Sequence, residues 1–233
     1  MAISDVQKTV LQIVNEVERK LSVDASSTLT TRKLTTTLLD YLNDVIAEVS
    51  DYGDWQEMFR EVSVTGQSGV GEYKVVSSAE VKNIYEIHHS ARGVSPLQNR
   101  SISDIRRLQK LNGTNGVPHQ YSVVGVSGTR PKFRVYNIPG NSQDGQLFDV
   151  AFYKKPRIYT TNDANTRVPF PSRVLVQGLY AKALLEESGQ EPTNQYQVAY
   201  AEYTRMRKEA LNRFTSDTNN DVYVTPGRNM GSR

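Results

Sequence analysis

The chain has 233 residues and no cysteine, long enough for a sizeable core but closed to disulfides, thiolate metal sites and cysteine nucleophiles. An apolar share of 37% argues against general disorder. Lys+Arg 28 against Asp+Glu 25 leave only +3, so charge alone does not imply a nucleic-acid partner.

Met1 to Val6 carry no basic n-region, and no run reaches ~18 apolar residues, so neither a signal peptide nor a membrane span is expected. Val6, Val10, Ile13, Val14, Val17 and Leu21 step by three and four, which predicts an amphipathic helix capped by Ser4 or Asp5. After a Ser/Thr-rich connector from Ser22 to Thr31, the period returns at Leu34, Leu38, Tyr41, Leu42, Val45 and Val49, ending near Gly53. Two helices with single apolar faces and a short polar link predict an antiparallel hairpin, with Trp55 sealing its end.

From Phe59 the pattern changes to period two. Strands are expected at Phe59 to Thr65, Glu72 to Val76, Val81 to His88, His119 to Val126, Lys132 to Ile138 and Gln146 to Tyr153. The glycine-rich stretch Gly66 to Gly71 reads as the turn of a hairpin joining the first two. Ile102, Ile105 and Leu108 stand at helical steps behind Ser103, a short helix within the strand block. Beyond Tyr153-Lys154-Lys155-Pro156, Val168-Pro169-Phe170-Pro171 opens a helix with Pro171 in its first turn. Val174, Leu175, Gly178, Leu179 and Leu185 mark its buried side, and Gly178 implies close helix contact. Tyr196, Ala199, Tyr203, Met206 and Ala210 define a last helix over Asn194 to Phe214, with Arg205, Lys208 and Glu209 on its opposite face. The polar remainder, Thr215 to Arg233, has one apolar cluster, Val222, Tyr223 and Val224, and alone should not fold.

Helices at both ends with strands between them predict an α+β fold: a four-helix bundle carrying an inserted antiparallel β-sandwich or barrel, with an extended C-terminal arm. The expected divisions are residues 1–56, 57–156, 157–214 and 215–233.

Catalytic and cofactor signals are weak. His88 and His89 are adjacent on a strand and point to opposite faces, so they cannot chelate one ion together, and His119 follows a turn. Gly66 to Gly71 superficially resembles a phosphate loop but lacks the Gly-Lys-Ser/Thr ending and lies between strands. Asp163, Glu186 and Glu187 have no partnering histidine or serine motif nearby. The expectation is a non-enzyme without metal or cofactor. Basic residues gather at Lys154, Lys155 and Arg157, and at Arg205, Arg207, Lys208 and Arg213 among Tyr200 and Tyr203. Such a stripe follows phosphates or forms a charged outer face pairing with Glu202 and Glu209. Thirteen tyrosines favour interfaces.

The order of motifs resembles the head-to-tail adaptor (connector) proteins of tailed bacteriophages, the group that includes tail tubular protein A of short-tailed phages. The likeness spans nearly the whole chain. It rests on the helix pair closing on Trp55, the strand after Phe59 with its glycine turn and Tyr73, and Gly116-Val117-Pro118 followed by Tyr121. It continues through Val135-Tyr136-Asn137-Ile138-Pro139, Phe152-Tyr153-Lys154-Lys155-Pro156 and Val168-Pro169-Phe170-Pro171. Where such proteins often show a Leu-Pro pair, this chain has Val75-Val76-Ser77.

The resemblance implies a structural virion protein, made in the host cytoplasm and located at the head-tail interface. It implies a homo-oligomeric ring, usually a dodecamer, that binds the portal protein, extends the DNA channel used in genome ejection and docks a tail or nozzle protein. The C-terminal arm then reaches the portal through Val222, Tyr223, Val224, Thr225, Pro226 and Arg228, while Arg205, Lys208 and Arg213 face the channel and its DNA without sequence specificity. No membrane partner is implied. The alternative is a neck or tail completion protein that does not bind the portal.

Overall fold

A computed structural model describes residues 7–75, 80–93, 95–111, 115–127 and 130–216. The chain is α+β and divides into two compact units, one of Met1–Glu57 with Arg157–Arg233, the other Met58–Pro156. The proposed arm residues Val222, Tyr223, Val224, Thr225, Pro226 and Arg228 lie outside the described residues.

In the helical unit, α1 spans Val10–Lys20 and α2 spans Lys33–Tyr52. The helix start differs from expectation. Thr9 is the N-cap, in a capping box with Gln12 that satisfies the backbone N–H of each, while Ser4 and Asp5 lie outside the described residues. Val10, Ile13, Val14 and Val17 are fully buried, as are Leu38, Leu42 and Val49 on α2. Trp55 follows Gly53, donates its indole N–H to the Val49 carbonyl at 2.8 Å and meets Phe170 edge-on at 5.7 Å. One of the last four carbonyls of α2 is thereby capped by a side chain.

Helix α4, here the helix Ser172–Glu187, follows a short helix α3 at Ile102–Leu111 in the other unit. Pro171 is the N-cap of α4 rather than a residue of its first turn. Val174 to Leu179 are buried without a break, because α4 packs against α1, α2 and the last helix, α5, at Asn194–Ser216. A helix enclosed by three neighbours needs an apolar surface most of the way round. Leu185 is only half-buried, its expected place taken by Ala181 and Leu184.

The β unit holds β1 Phe59–Thr65, β2 Glu72–Lys74, β3 Val81–His89, β4 Gln98–Asn99, β5 Gln120–Ser127, β6 Arg130–Tyr136 and β7 Leu147–Lys154. They form a three-stranded sheet β1-β7-β3 and a four-stranded sheet β2-β6-β5-β4. The expected β1–β2 hairpin does not form. β1 pairs antiparallel with β7 and β2 with β6, so Gly66 to Gly71 crosses from one sheet to the other. Nor is the pairing wholly antiparallel, since the two-residue β4 runs parallel to β5. Both differences have a common cause: period two fixes which residues face inward, not which strand lies alongside. The two sheets share one apolar cluster, in which Tyr73 and Phe133 of one sheet meet Phe148 of the other with ring centroids 4.8 and 5.6 Å apart. The cap of α3 is Ser101, whose hydroxyl accepts from the Asp104 N–H at 3.1 Å, and not Ser103.

Candidate functional site

The histidines, the glycine-rich stretch and the carboxylate that were weighed and set aside as chemical sites in the sequence each have partners within the fold. His89 is buried against Phe148, while His88 faces the other way beside Glu86 at 3.2 Å. His119 packs edge-on to Tyr136 at 5.4 Å. Among the described residues no group of three His, Cys, Asp or Glu side chains could hold a metal ion. In Gly66 to Gly71, the N–H groups of Gly66, Gln67, Ser68, Gly69 and Val70 all donate within the β unit, that of Ser68 to the Asp144 carboxylate. A phosphate cradle needs free amides, and these are occupied. Asp163 accepts from Thr160 and from Arg157, which together hold its carboxyl below the usual aspartate range.

Helix α5 is the more informative surface. Among its residues with described side chains, Ala199 and Tyr203 are the hydrophobic ones buried in the core. Tyr203 reaches α4 at Gly178, where an added Cβ would stand 2.7 Å from its ring and 2.8 Å from Val45. Tyr196 stacks on Tyr200 at 5.6 Å. Arg207, grouped in the sequence with the outward cations, turns inward instead. It pairs with Glu48 of α2 at 2.5 Å and lies 4.1 Å over the Tyr52 ring.

The other side of α5 is open to solvent. Val198 is 70% and Tyr200 43% exposed, and Arg205, Lys208 and Arg213 are exposed as well. Arg205 pairs with Glu209 at 2.7 Å. Because Arg205, Glu209 and Arg213 step by four, they share one row, so the basic residues are interleaved with an acid rather than continuous.

A second cationic surface was missed in the sequence. Arg106, Arg107 and Lys110 of α3 and Arg134 of β6 line an open cleft of about 900 Å³ in the β unit. Arg134 is tied to Glu72 at 2.8 Å. Thirteen Lys/Arg against seven Asp/Glu give the β unit +6, leaving −3 for the helical unit. The near-neutral total conceals this division. The signal available was Arg106-Arg107 followed by Lys110, all on the turns of one short helix.

No described helix is long and apolar enough to cross a membrane. A model of the family described as SU10 adaptor protein matches residues 8–229, which spans both units. No curated protein matches the chain. From α1 to beyond the end of α5, the chain therefore belongs to the SU10 adaptor protein family and is a phage adaptor protein.

Proposed function

We propose that this protein is the head-to-tail adaptor of a tailed phage: a ring of identical copies beneath the portal that continues the DNA channel and gives the tail or nozzle protein its docking surface. The single observation carrying this reading is the family match across residues 8–229, which leaves neither unit outside the adaptor assignment. An adaptor family also supports a role without turnover and a location in the virion.

In this reading the helices form a four-helix bundle that makes the ring, the two-sheet unit is an inserted sandwich, and the likeness to tail tubular protein A is one of architecture. The long, largely exposed α5 is the helix that copies present toward the channel. Arg205, Lys208 and Arg213 with the intervening Glu209 give that wall a mixed charge. Such a surface holds DNA loosely, as a conduit requires, because each uncompensated cation in contact with phosphate adds affinity. The C-terminal residues Val222, Tyr223, Val224, Thr225, Pro226 and Arg228 bind the portal.

The test is the mass of the full-length protein alone and after mixing with the portal ring of its own phage. A portal-bound ring, lost when residues 217–233 are deleted although the truncated chain melts at the same temperature, supports both the ring and the arm. A chain that ignores intact portal rings overturns the reading in favour of a neck or tail completion protein.

A further inference from the structure

Ile158 is 79% exposed, the most accessible large apolar residue among those described. The segment holding it is pinned on both sides. Tyr159 is buried, and the Asn43 side chain of α2 bonds both its backbone groups, accepting from its N–H at 2.8 Å and donating to its carbonyl at 2.9 Å. Before it, Arg157 pairs with Asp163 at 2.7 Å and lies 4.7 Å over the Tyr159 ring. With both neighbours fixed, the isoleucine cannot fold back to bury its surface, so its hydrophobic burial is left for something else to supply.

The same unit has a complementary hollow. Leu21, Leu34, Leu38, Tyr41 and Ala183 line a recess of about 270 Å³ with the carboxylates of Glu186 and Glu187 on its wall. Leu34 there is 36% exposed. At 3.6 residues per turn, Leu34, Thr37 and Tyr41 fall within about 60° of one another on α2, and Asn43 lies about 180° from Leu34. The hollow and the Tyr159 backbone that carries the knob, held by Asn43, thus lie on opposite sides of α2 within the helical unit. A second copy is the occupant this geometry fits. Two different, complementary patches on opposite sides of one unit make a heterologous contact, which closes into a ring when the rotation between copies allows. Charge agrees with that choice. Arg157, beside the knob, keeps 54% of its side chain exposed, and Glu186 and Glu187 are exposed at the hollow, so opposite charges would meet and set the register.

We infer that Ile158 of one copy seats in the Leu34–Tyr41 hollow of the next, forming the repeating contact of the ring. This rests on the ring reading given above. Because the chain has no cysteine, the contact can be probed without background. Full-length Ile158→Cys and Leu34→Cys chains are mixed, assembled on portal rings and treated with a short bismaleimide. A cross-linked dimer formed in the ring fraction from the mixture, and from neither variant alone, is the expected result.

Ile158→Asp supplies the second arm. It should melt with the unmodified chain, since the side chain is exposed, and lower the yield of rings roughly tenfold or more, the scale of losing one buried aliphatic contact. Rings that form normally with Ile158→Asp and give no cross-link in the mixture overturn this contact while leaving the ring intact. Failure of the unmodified chain to form any ring overturns the contact together with the reading beneath it.

Discussion

Tyr203 of α5 rests on the bare backbone of α4 at Gly178: an added Cβ there would lie 2.7 Å from Tyr203 Cε2 and 2.8 Å from Val45 Cγ1. Both neighbours are buried, so neither has solvent to move into. A glycine inside a helix ordinarily sacrifices about 1 kcal/mol against alanine, and here it permits α2, α4 and α5 to meet at one point. Gly178→Ala should therefore fail to stabilise. Overpacking of about 1–3 kcal/mol outweighs or cancels the gain in helix propensity, and Gly178→Leu should cost more than alanine does. Thermal melting of the two variants checks the order; a clear rise with alanine would mean that the contact yields without strain.

Glu18 is predicted to be the keystone of the link between α1 and α2. It is wholly buried, accepts from the Ser26 N–H at 2.9 Å, from the Ser26 hydroxyl at 2.9 Å and from the Thr35 hydroxyl at 2.6 Å. Removing the carboxylate strands these donors, at about 1–3 kcal/mol for each one left without an acceptor. Asn15 Oδ1 also accepts from the Ser26 N–H at 3.0 Å, and the two hydroxyls stand 2.8 Å apart, so the loss is partial. Glu18→Ala should lower stability by about 2–3 kcal/mol and Glu18→Gln by less. Denaturant unfolding of the three proteins measures this directly.

The contrast between those two sites shows what the sequence makes legible. Gly178 announced itself because a glycine amid good helix formers has no local reason to be there. Helix and strand periods were readable for the same reason: each buried face repeats within a window of a dozen residues. Glu18 was not readable, because its partner Ser26 lies in a segment whose Ser/Thr content looks like solvent-exposed linker, although Leu29 within it is fully buried, and its partner Thr35 is one of three successive threonines near the start of α2. Strand partners were also invisible, since β1 and β7 are separated by more than eighty residues of chain and alternation is the same for any neighbour. At the candidate surface, Arg205 and Arg207 are two apart and look alike in sequence. Two residues turn a helix by about 200°, which sends one to solvent and the other to Glu48.

Stability of the β unit should fall as pH drops through the range just below neutral. His89 is fully buried, its Nδ1 accepts from the Ala91 N–H at 3.3 Å, and its Nε2 has no hydrogen-bond partner among the described residues. Burial, and then the charge of Arg92, hold its pKa below the ordinary 6.5. The folded state thus prefers neutral imidazole while the unfolded chain takes up a proton near 6.5. The associated stability is complete above that value and is lost as pH falls from it toward the depressed folded pKa, by up to about 1.4 kcal/mol per pH unit. His89→Phe should flatten this slope between about pH 7.5 and 5.5. A second, lower window belongs to Glu72, whose carboxyl is held below 4.5 by hydrogen bonds from Arg134 and then Lys132. Its contribution is present above 4.5 and disappears as pH falls through the folded value, so Glu72→Gln should change acid unfolding and leave the His89 window untouched.

Arg207 is expected to hold α5 to α2. Its side chain is 12% exposed, pairs with Glu48 at 2.5 Å and lies 4.1 and 5.1 Å from the centroids of the Tyr52 and Tyr203 rings. A planar guanidinium can lie flat against tyrosines while pairing with a carboxylate at its edge; a lysine ammonium offers a point charge and no plane. Arg207→Lys should therefore recover little of what Arg207→Ala loses. Because Glu48 keeps 39% of its side chain in solvent, the loss is discounted from the buried-pair range to about 1–3 kcal/mol. The effect should also be local. Because only Ala199 and Tyr203 are buried apolar residues among the described side chains of α5, its amides are expected to exchange faster with solvent deuterium in both variants while those of α1 and the β unit keep their protection. Uniform acceleration across the helical unit would show instead that α5 unfolds only with the whole, and that Arg207 stabilises the unit rather than the attachment of its last helix.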